Sequence, residues 1–304
     1  MLATLTQLLP IFVFLGLGLL LRARGLADRA HGDFLLRFVF FVTLPALVVT
    51  TVATITFTRE RALLPVLNIV VNLLCYGMAF FWLKLGTLDR ASAGAIAVGT
   101  LIVNNAFMFP FVLAMYGEDG FADAILWDFG NAIMTASFTY ATALHYGGLH
   151  GDGRAMLRRV VTSPLIWALL LAATLASTGT KIPAAMAAII EPLGKMTAPL
   201  ILVALGIYTS INIQRPALAA RIVALRMVFG LCCGLALALL FGLDGTTFKV
   251  VVLCSAAPIG FMALAFSSLA RLDCDLTSGA VSLSILAGII WIPLLAICLE
   301  WLTR

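Results

Sequence analysis

Leu101-Ile-Val-Asn104-Asn105-Ala-Phe-Met-Phe-Pro110 sits within a stretch, 91–117, that carries no charged residue and is long enough to cross a bilayer as one helix. Two adjacent amides followed within two turns by a proline do not suit such a helix. Proline removes a backbone donor, and its ring collides with the carbonyl four residues back. The residue before it is pushed away from helical angles. Lipid can satisfy neither the amides nor a bared backbone, so a helix that breaks at this depth lines a protein-enclosed cavity. The reading of the chain starts from an expected break here, at Asn104, Asn105 and Pro110.

The remainder of the 304 residues places that break in a membrane. Hydrophobic residues make up 62% and charged residues 11%, with a mean hydropathy of +1.11. Soluble domains carry about 25% charged residues. The net charge of +5 is carried by short basic connections between apolar runs. It therefore reads as the positive-inside bias and not as a nucleic-acid surface. The six cysteines, at 75, 232, 233, 254, 274 and 298, form no C-x-x-C, and five of them lie in or beside apolar runs, where they read as small buried hydrophobes. The first apolar run lacks a basic leader and is followed by arginines, so it reads as a retained span.

Charge-free runs predict an all-α integral membrane protein with ten spans. They cover 1–21, 38–58, 62–83, 91–117, 129–151, 160–180, 196–214, 227–243, 250–270 and 276–299. The odd-numbered connections, including the basic fifth one around 150–159, hold thirteen lysines and arginines, against six on the other side. Both termini are accordingly expected outside the cytoplasm.

An internal repeat follows from the prolines. Pro10 and Pro45 recur as Pro164 and Pro199 after a shift of 154. Pro110 is matched by Pro258, in Ala257-Pro258-Ile259-Gly260, after a shift of 148. Asp128 with Asn131, entering the fifth span, is matched by Asp275 with Ser278, entering the tenth. Five spans per half make the second half inverted. The expected organisation is 1–151 and 160–301, with the fourth and ninth helices broken and crossing. Such inverted halves are the signature of a secondary transporter with its site near the midplane. Half-helix N-termini there attract anions, and half-helix carbonyl ends coordinate cations. The middles of the ten runs hold no ionisable group, which argues against a carboxylate relay. Asp128, Glu191 and Lys195 lie near predicted span ends.

These motifs together resemble the auxin efflux carrier family, which includes the plant PIN carriers. The resemblance runs end to end, through 38–46 with Pro45, Asn104-Asn105…Pro110, Ala198-Pro199 with Gly206, Ala257-Pro258-Ile259-Gly260, and 273–284. Ala106, Met108 and Phe109 depart from the small residues usual in that family before the proline. The resemblance implies a fold like that of the bile acid–sodium symporters. Helices 1–58 and 160–214 would be a scaffold, and helices 62–151 and 217–301 a transport bundle. It also implies a homodimer through the scaffold, elevator-type alternating access, a small organic anion as substrate and residence in a bacterial inner membrane.

Each residue has a plainer alternative. The amides of Asn104 and Asn105 serve either as interhelical hydrogen bonders or as substrate ligands. Adjacent helical side chains project about 100° apart, which favours at least one facing a cavity. Phe107, Pro110, Ala257, Pro258, Ile259 and Gly260 complete the expected substrate site. Asp128, Asn131, Asp275 and Ser278 are candidates for a coupling ion or a gate, or else interfacial acids at helix starts. Pro45 and Pro199 read as scaffold kinks. Thr43, Thr197 and Ser255 either face substrate or bond back to their own helices. His145 and His150 have no cysteine or acid cluster beside them, so no metal site is expected. No cofactor is expected, with sodium or proton coupling left open. Walker, nucleophile-elbow and H-E-x-x-H motifs are absent, so an enzyme is not expected. The alternatives to a carrier are a passive channel and a ligand-binding membrane sensor.

Overall fold

The computed structural model describes residues 2–56, 58–149, 158, 161–208, 213 and 215–302. Among these, every continuous element is a helix. In chain order they are α1 (Leu2–Ala23), α2 (Arg29–Phe38), α3 (Leu44–Val52), α4 (Arg59–Lys84), α5 (Arg90–Leu101), α6 (Asn105–Met134) and α7 (Tyr140–Gly147). Then follow α8 (Pro164–Thr178), α9 (Ala184–Lys195), α10 (Thr197–Tyr208), α11 (Pro216–Val223), α12 (Gly230–Leu240), α13 (Gly245–Ser255), α14 (Met262–Leu269) and α15 (Cys274–Leu302). Wider π-helical turns at Val39–Thr43, Thr135–Thr139 and Ala224–Phe229 join α2 to α3, α6 to α7 and α11 to α12.

Among the described residues, five helical stretches are long and apolar enough to cross a membrane: Arg29–Val52, Arg59–Lys84, Ala184–Tyr208, Pro216–Leu240 and Cys274–Leu302. The protein is integral to the membrane. Lipid-facing character shows in exposed Phe34, Phe41, Phe81, Leu240 and Trp301, which water would not tolerate together.

The chain groups into two units. One comprises Met1–Ala62, Ala106–Ile125 and Val161–Thr209; the other comprises Leu63–Asn105, Leu126–Val160 and Ser210–Arg304. In the first unit α1 and α10 cross at two glycines. A β-carbon on Gly18 would lie 2.1 Å from the carbonyl oxygen of Val203, and one on Gly206 would lie 2.3 Å from that of Leu15. Small residues of this kind are what lets apolar helices touch backbone to backbone. Arg61 closes the same unit by pairing with buried Asp123 at 2.7 Å and with Asp119 at 2.9 Å.

Pro45 and Pro199 each follow a helix interruption. The amide of Leu44 bonds back five residues to Val39, and this widened turn makes room for the Pro45 ring. Met196 separates α9 from α10, so Pro199 is the third residue of α10, where a missing N–H leaves no bond unmade. Beside them Thr43 and Thr197 are fully or almost fully buried, and neither hydroxyl has a partner among the described residues.

Several expectations from charge-free runs are corrected here. The chain reverses at Gly117, which has φ 65°, and the next helical arm starts at 118 instead of 129. The seventh apolar helix starts at Ala184, so Glu191 and Lys195 lie within it, both exposed. The eighth starts at Pro216 and carries Arg226 fully buried in its middle. The cause is common to all three: a window that stops at each charge truncates a helix that runs through it. Arg226 also overturns the expectation of uncharged span middles. It sits ten residues past Pro216, about 15 Å along the axis, roughly half the hydrocarbon thickness. Cys232, Cys274 and Cys298 are exposed, whereas Cys75, Cys233 and Cys254 are buried. The connection 150–159 lies outside the described residues, Arg158 excepted.

Candidate functional site: two unwound segments and a buried acid

The first break lies at 102–104, between α5 and α6, and not at Pro110. Two consecutive β-branched residues, Ile102 and Val103, fit extended backbone, and Asn104 takes the position just before the next helix, where asparagine is favoured. Pro110 lies inside α6, six residues into it, where it removes one helical bond without ending the helix. The second break, 256–261, separates α13 from α14 and does contain its proline.

Within the second unit the two breaks meet as a short antiparallel pair at Val103 and Ile259. The Asn104 amide donates to the Pro258 carbonyl at 2.8 Å, and the Gly260 amide donates to the Ile102 carbonyl at 3.0 Å. Gly260 is required for this approach. A β-carbon there would stand 2.7 Å from the Ile102 side chain and 2.9 Å from the Val103 carbonyl oxygen.

Each break leaves one further inward amide, and a side chain meets it. The Val103 amide donates to Oδ1 of Asn131 at 3.4 Å, while Nδ2 of Asn131 reaches back to the Val103 carbonyl at 3.5 Å. The Ile259 amide donates to Oγ of Ser284 at 3.1 Å, and that hydroxyl donates to the Val281 carbonyl at 2.8 Å. The amides of Val103, Asn104, Ile259 and Gly260 thus all have acceptors, as a membrane interior demands.

Asp128 stands beside this pair. Its Oδ1 accepts from Nδ2 of Asn105 at 2.6 Å and from Nδ2 of Asn131 at 2.9 Å. All three residues are buried, and Oδ1 of Asn105 has no partner among the described residues. The arrangement is a buried acid held by neutral amides, one of which belongs to the first turn of a half-helix. It can take up a proton or a cation, and it can surrender the Asn105 amide to another acceptor.

The structure therefore gathers Asn104, Asn105, Asp128, Asn131, Ala257, Pro258, Ile259 and Gly260 into the second unit, all buried. Phe107 and Pro110 group with the first unit, where Phe107 stacks on Phe111 with ring centroids 5.1 Å apart. Asp275 is exposed in the first turn of α15, and Ser278 is half-buried one turn on. The hydroxyl that serves the second break is Ser284, which sequence reasoning did not single out; it stands 153 residues after Asn131, close to the 154-residue proline shift. Ser255 bonds back to the Val251 carbonyl at 2.7 Å, the plainer of its two readings.

At the start of α5, Arg215 pairs with Asp273 at 2.5 Å and donates to Ser92 Oγ at 2.8 Å. Asp89 caps the start of α5, its carboxylate accepting from the Ser92 amide and hydroxyl, both at 2.8 Å. Those two bonds hold Asp89 below the usual carboxylate range. This cluster ties the start of α5 to the start of α15.

The profile of a family described as membrane transport protein matches residues 3–147 and 153–296. An uncharacterized transporter of Methanothermobacter thermautotrophicus is 26% identical over 297 residues, covering 96% of this chain and 97% of its own. An uncharacterized transporter of Methanocaldococcus jannaschii is 23% identical over 267 residues, covering 84% and 86%.

Proposed function

The chain belongs to the membrane transport protein family, that of the auxin efflux carriers, and we propose that it is a secondary carrier of a small organic anion bound where its two unwound segments meet. The observation that carries this reading is the bond from Asn105 Nδ2 to Asp128 Oδ1 at 2.6 Å. An anionic substrate seeking the Asn105 amide competes with the carboxylate for that donor. It also meets that carboxylate's charge, and two like charges about 4 Å apart cost about 4 kcal/mol at an effective dielectric of 20. Protonation of Asp128 removes the repulsion and frees the amide. Substrate binding and proton uptake then favour each other, the linkage a proton-coupled anion carrier needs.

The same proposal reads ten spans: α1; α2–α3; α4; α5 with the first arm of α6; its second arm with α7; α8; α9–α10; α11–α12; α13–α14; and α15. The fourth and ninth are the interrupted ones, in halves of opposite orientation. Support comes from the Val103–Ile259 pairing and from the twin interruptions before Pro45 and Pro199. Grouping of 1–62 with 161–209 supports a scaffold that includes helices 1–58 and 160–214, and the other unit supports a bundle drawn from 62–151 and 217–301. Residues 106–125 group with the scaffold side. Elevator-type movement, a homodimer through the scaffold and termini outside the cytoplasm complete the proposal. They rest on the family resemblance and on the excess of lysine and arginine in and beside the odd-numbered connections.

A counterflow assay tests it. Liposomes containing the protein and loaded with unlabelled succinate, malate, lactate or indole-3-acetate should accumulate the matching labelled acid transiently, and Asn105→Ala should abolish that overshoot. Steady conductance without an overshoot would indicate a channel and contradict the reading.

A further inference from the structure

Arg226 is fully buried in the π-helical turn Ala224–Phe229, with apolar helix on both sides. Its partners are all neutral. Nη1 donates to Asn72 Oδ1 at 3.1 Å and to Cys75 Sγ at 3.5 Å, and Nη2 donates to the Ser255 carbonyl at 3.3 Å. Among the described residues no carboxylate pairs with it, and its Nε has no partner. A buried charge left this way is costly, so its retention calls for a reason.

The Ser255 carbonyl supplies one. It is the last carbonyl of α13, at the edge of the second break, where the negative end of a half-helix dipole points into protein. The approach is built for contact. Gly230 and Gly234 follow Arg226 at intervals of four and face Ser255. A β-carbon on the first would lie 2.5 Å from the Ser255 carbonyl oxygen, and one on the second 2.1 Å from its hydroxyl. Asn72 is oriented in turn, since its Nδ2 donates to Asn68 Oδ1 at 2.8 Å, which leaves Asn72 Oδ1 for the guanidinium. A helix-end carbonyl and an amide oxygen in a buried pocket are ligands that suit a monovalent cation. Here a tethered cation takes that place.

We propose that Arg226 is an internal counter-ion of the α13 break, a positioning residue that occupies the coordination place of a monovalent cation and so leaves this break with no need for one. The role is independent of which substrate is carried, and its test reads cation dependence of folding and not transport. The purified protein is melted in NaCl, KCl and choline chloride at constant ionic strength. The wild type melts within about 1 °C in all three. Arg226→Gln, which keeps a donor and removes the charge, melts lower in choline chloride. It recovers saturably by about 3–6 °C as Na⁺, K⁺ or millimolar guanidinium is added. Arg226→Lys restores the charge and the insensitivity to cation. An arginine with only a packing role would lower the melting temperature without cation-specific recovery, and that result overturns the proposal. So does saturable stabilisation of the wild type by Na⁺ over choline. Where Arg226→Gln yields no folded protein, Arg226→Lys decides: cation-insensitive melting supports the role, and failure to fold or a requirement for Na⁺ overturns it.

Discussion

Nδ2 of Asn105 donates to Oδ1 of Asp128 at 2.6 Å, joining the first turn of a half-helix to a buried acid 23 residues later. The neighbouring Asn104 contributes differently: its main-chain amide holds the Pro258 carbonyl at 2.8 Å. The two asparagines are therefore separable by mutation. Asn105→Ala removes the side-chain donor and leaves Asp128 one hydrogen bond poorer, a loss of about 1–3 kcal/mol in a buried site. Transport measured by counterflow should fall at least tenfold. Asn104→Ala keeps the main-chain bond to Pro258 and should retain more activity than Asn105→Ala.

The crossing itself depends on a missing side chain and on one hydroxyl. Gly260→Ala places a β-carbon 2.7 Å from the Ile102 side chain and 2.9 Å from the backbone carbonyl oxygen of Val103. Overpacking of this kind costs about 1–3 kcal/mol. Ser284→Ala leaves the Ile259 amide without its acceptor, at a similar cost. Both variants should melt several degrees below the wild type by differential scanning fluorimetry, and both should lose transport out of proportion to the protein that remains folded. A Ser284→Thr variant, which keeps the hydroxyl, should recover more than Ser284→Ala.

Asp89 offers a test away from the membrane interior. The Ser92 amide and hydroxyl hold its carboxylate below the usual range, with Arg215 nearby adding to the effect. A depressed carboxylate contributes stability that is present above its unfolded value of about 3.9 and is lost as pH falls through its folded value. Acid melting curves should therefore lose this contribution only below about pH 4. Asp89→Ala removes a helix cap worth about 1 kcal/mol, lowers the melting temperature at neutral pH and flattens the acid limb.

Much of this was legible in the sequence, for physical reasons that differ from residue to residue. Asn104 and Asn105 stood out because amides are out of place in lipid, and Pro258 because it cannot sit in an intact helix. Pro110 stood out equally and is inside a helix, since one missing donor kinks a span without cutting it. The β-branched pair Ile102-Val103 was the better signal for the break. Asp128 was placed near a span end because charge-free windows cannot see that helix starting at 118, just past the reversal at Gly117. Arg226 was assigned to a loop for the same reason, although apolar residues flank it on both sides. Ser284 carried no signal beyond its repeat-related distance from Asn131. Its role exists only once the Ile259 amide has been left free by the break.

The most direct measurement of the central claim is ligand affinity as a function of pH in the wild type and in Asp128→Asn, for a carboxylic acid that stays ionised from pH 5.5 to 8. If the Asn105 amide passes from Asp128 to the substrate, wild-type affinity rises as pH falls, by up to about tenfold per unit. Asp128→Asn then binds with little dependence on pH. A wild type whose affinity does not change with pH, or an Asp128→Asn protein that keeps the wild-type dependence, would contradict the account.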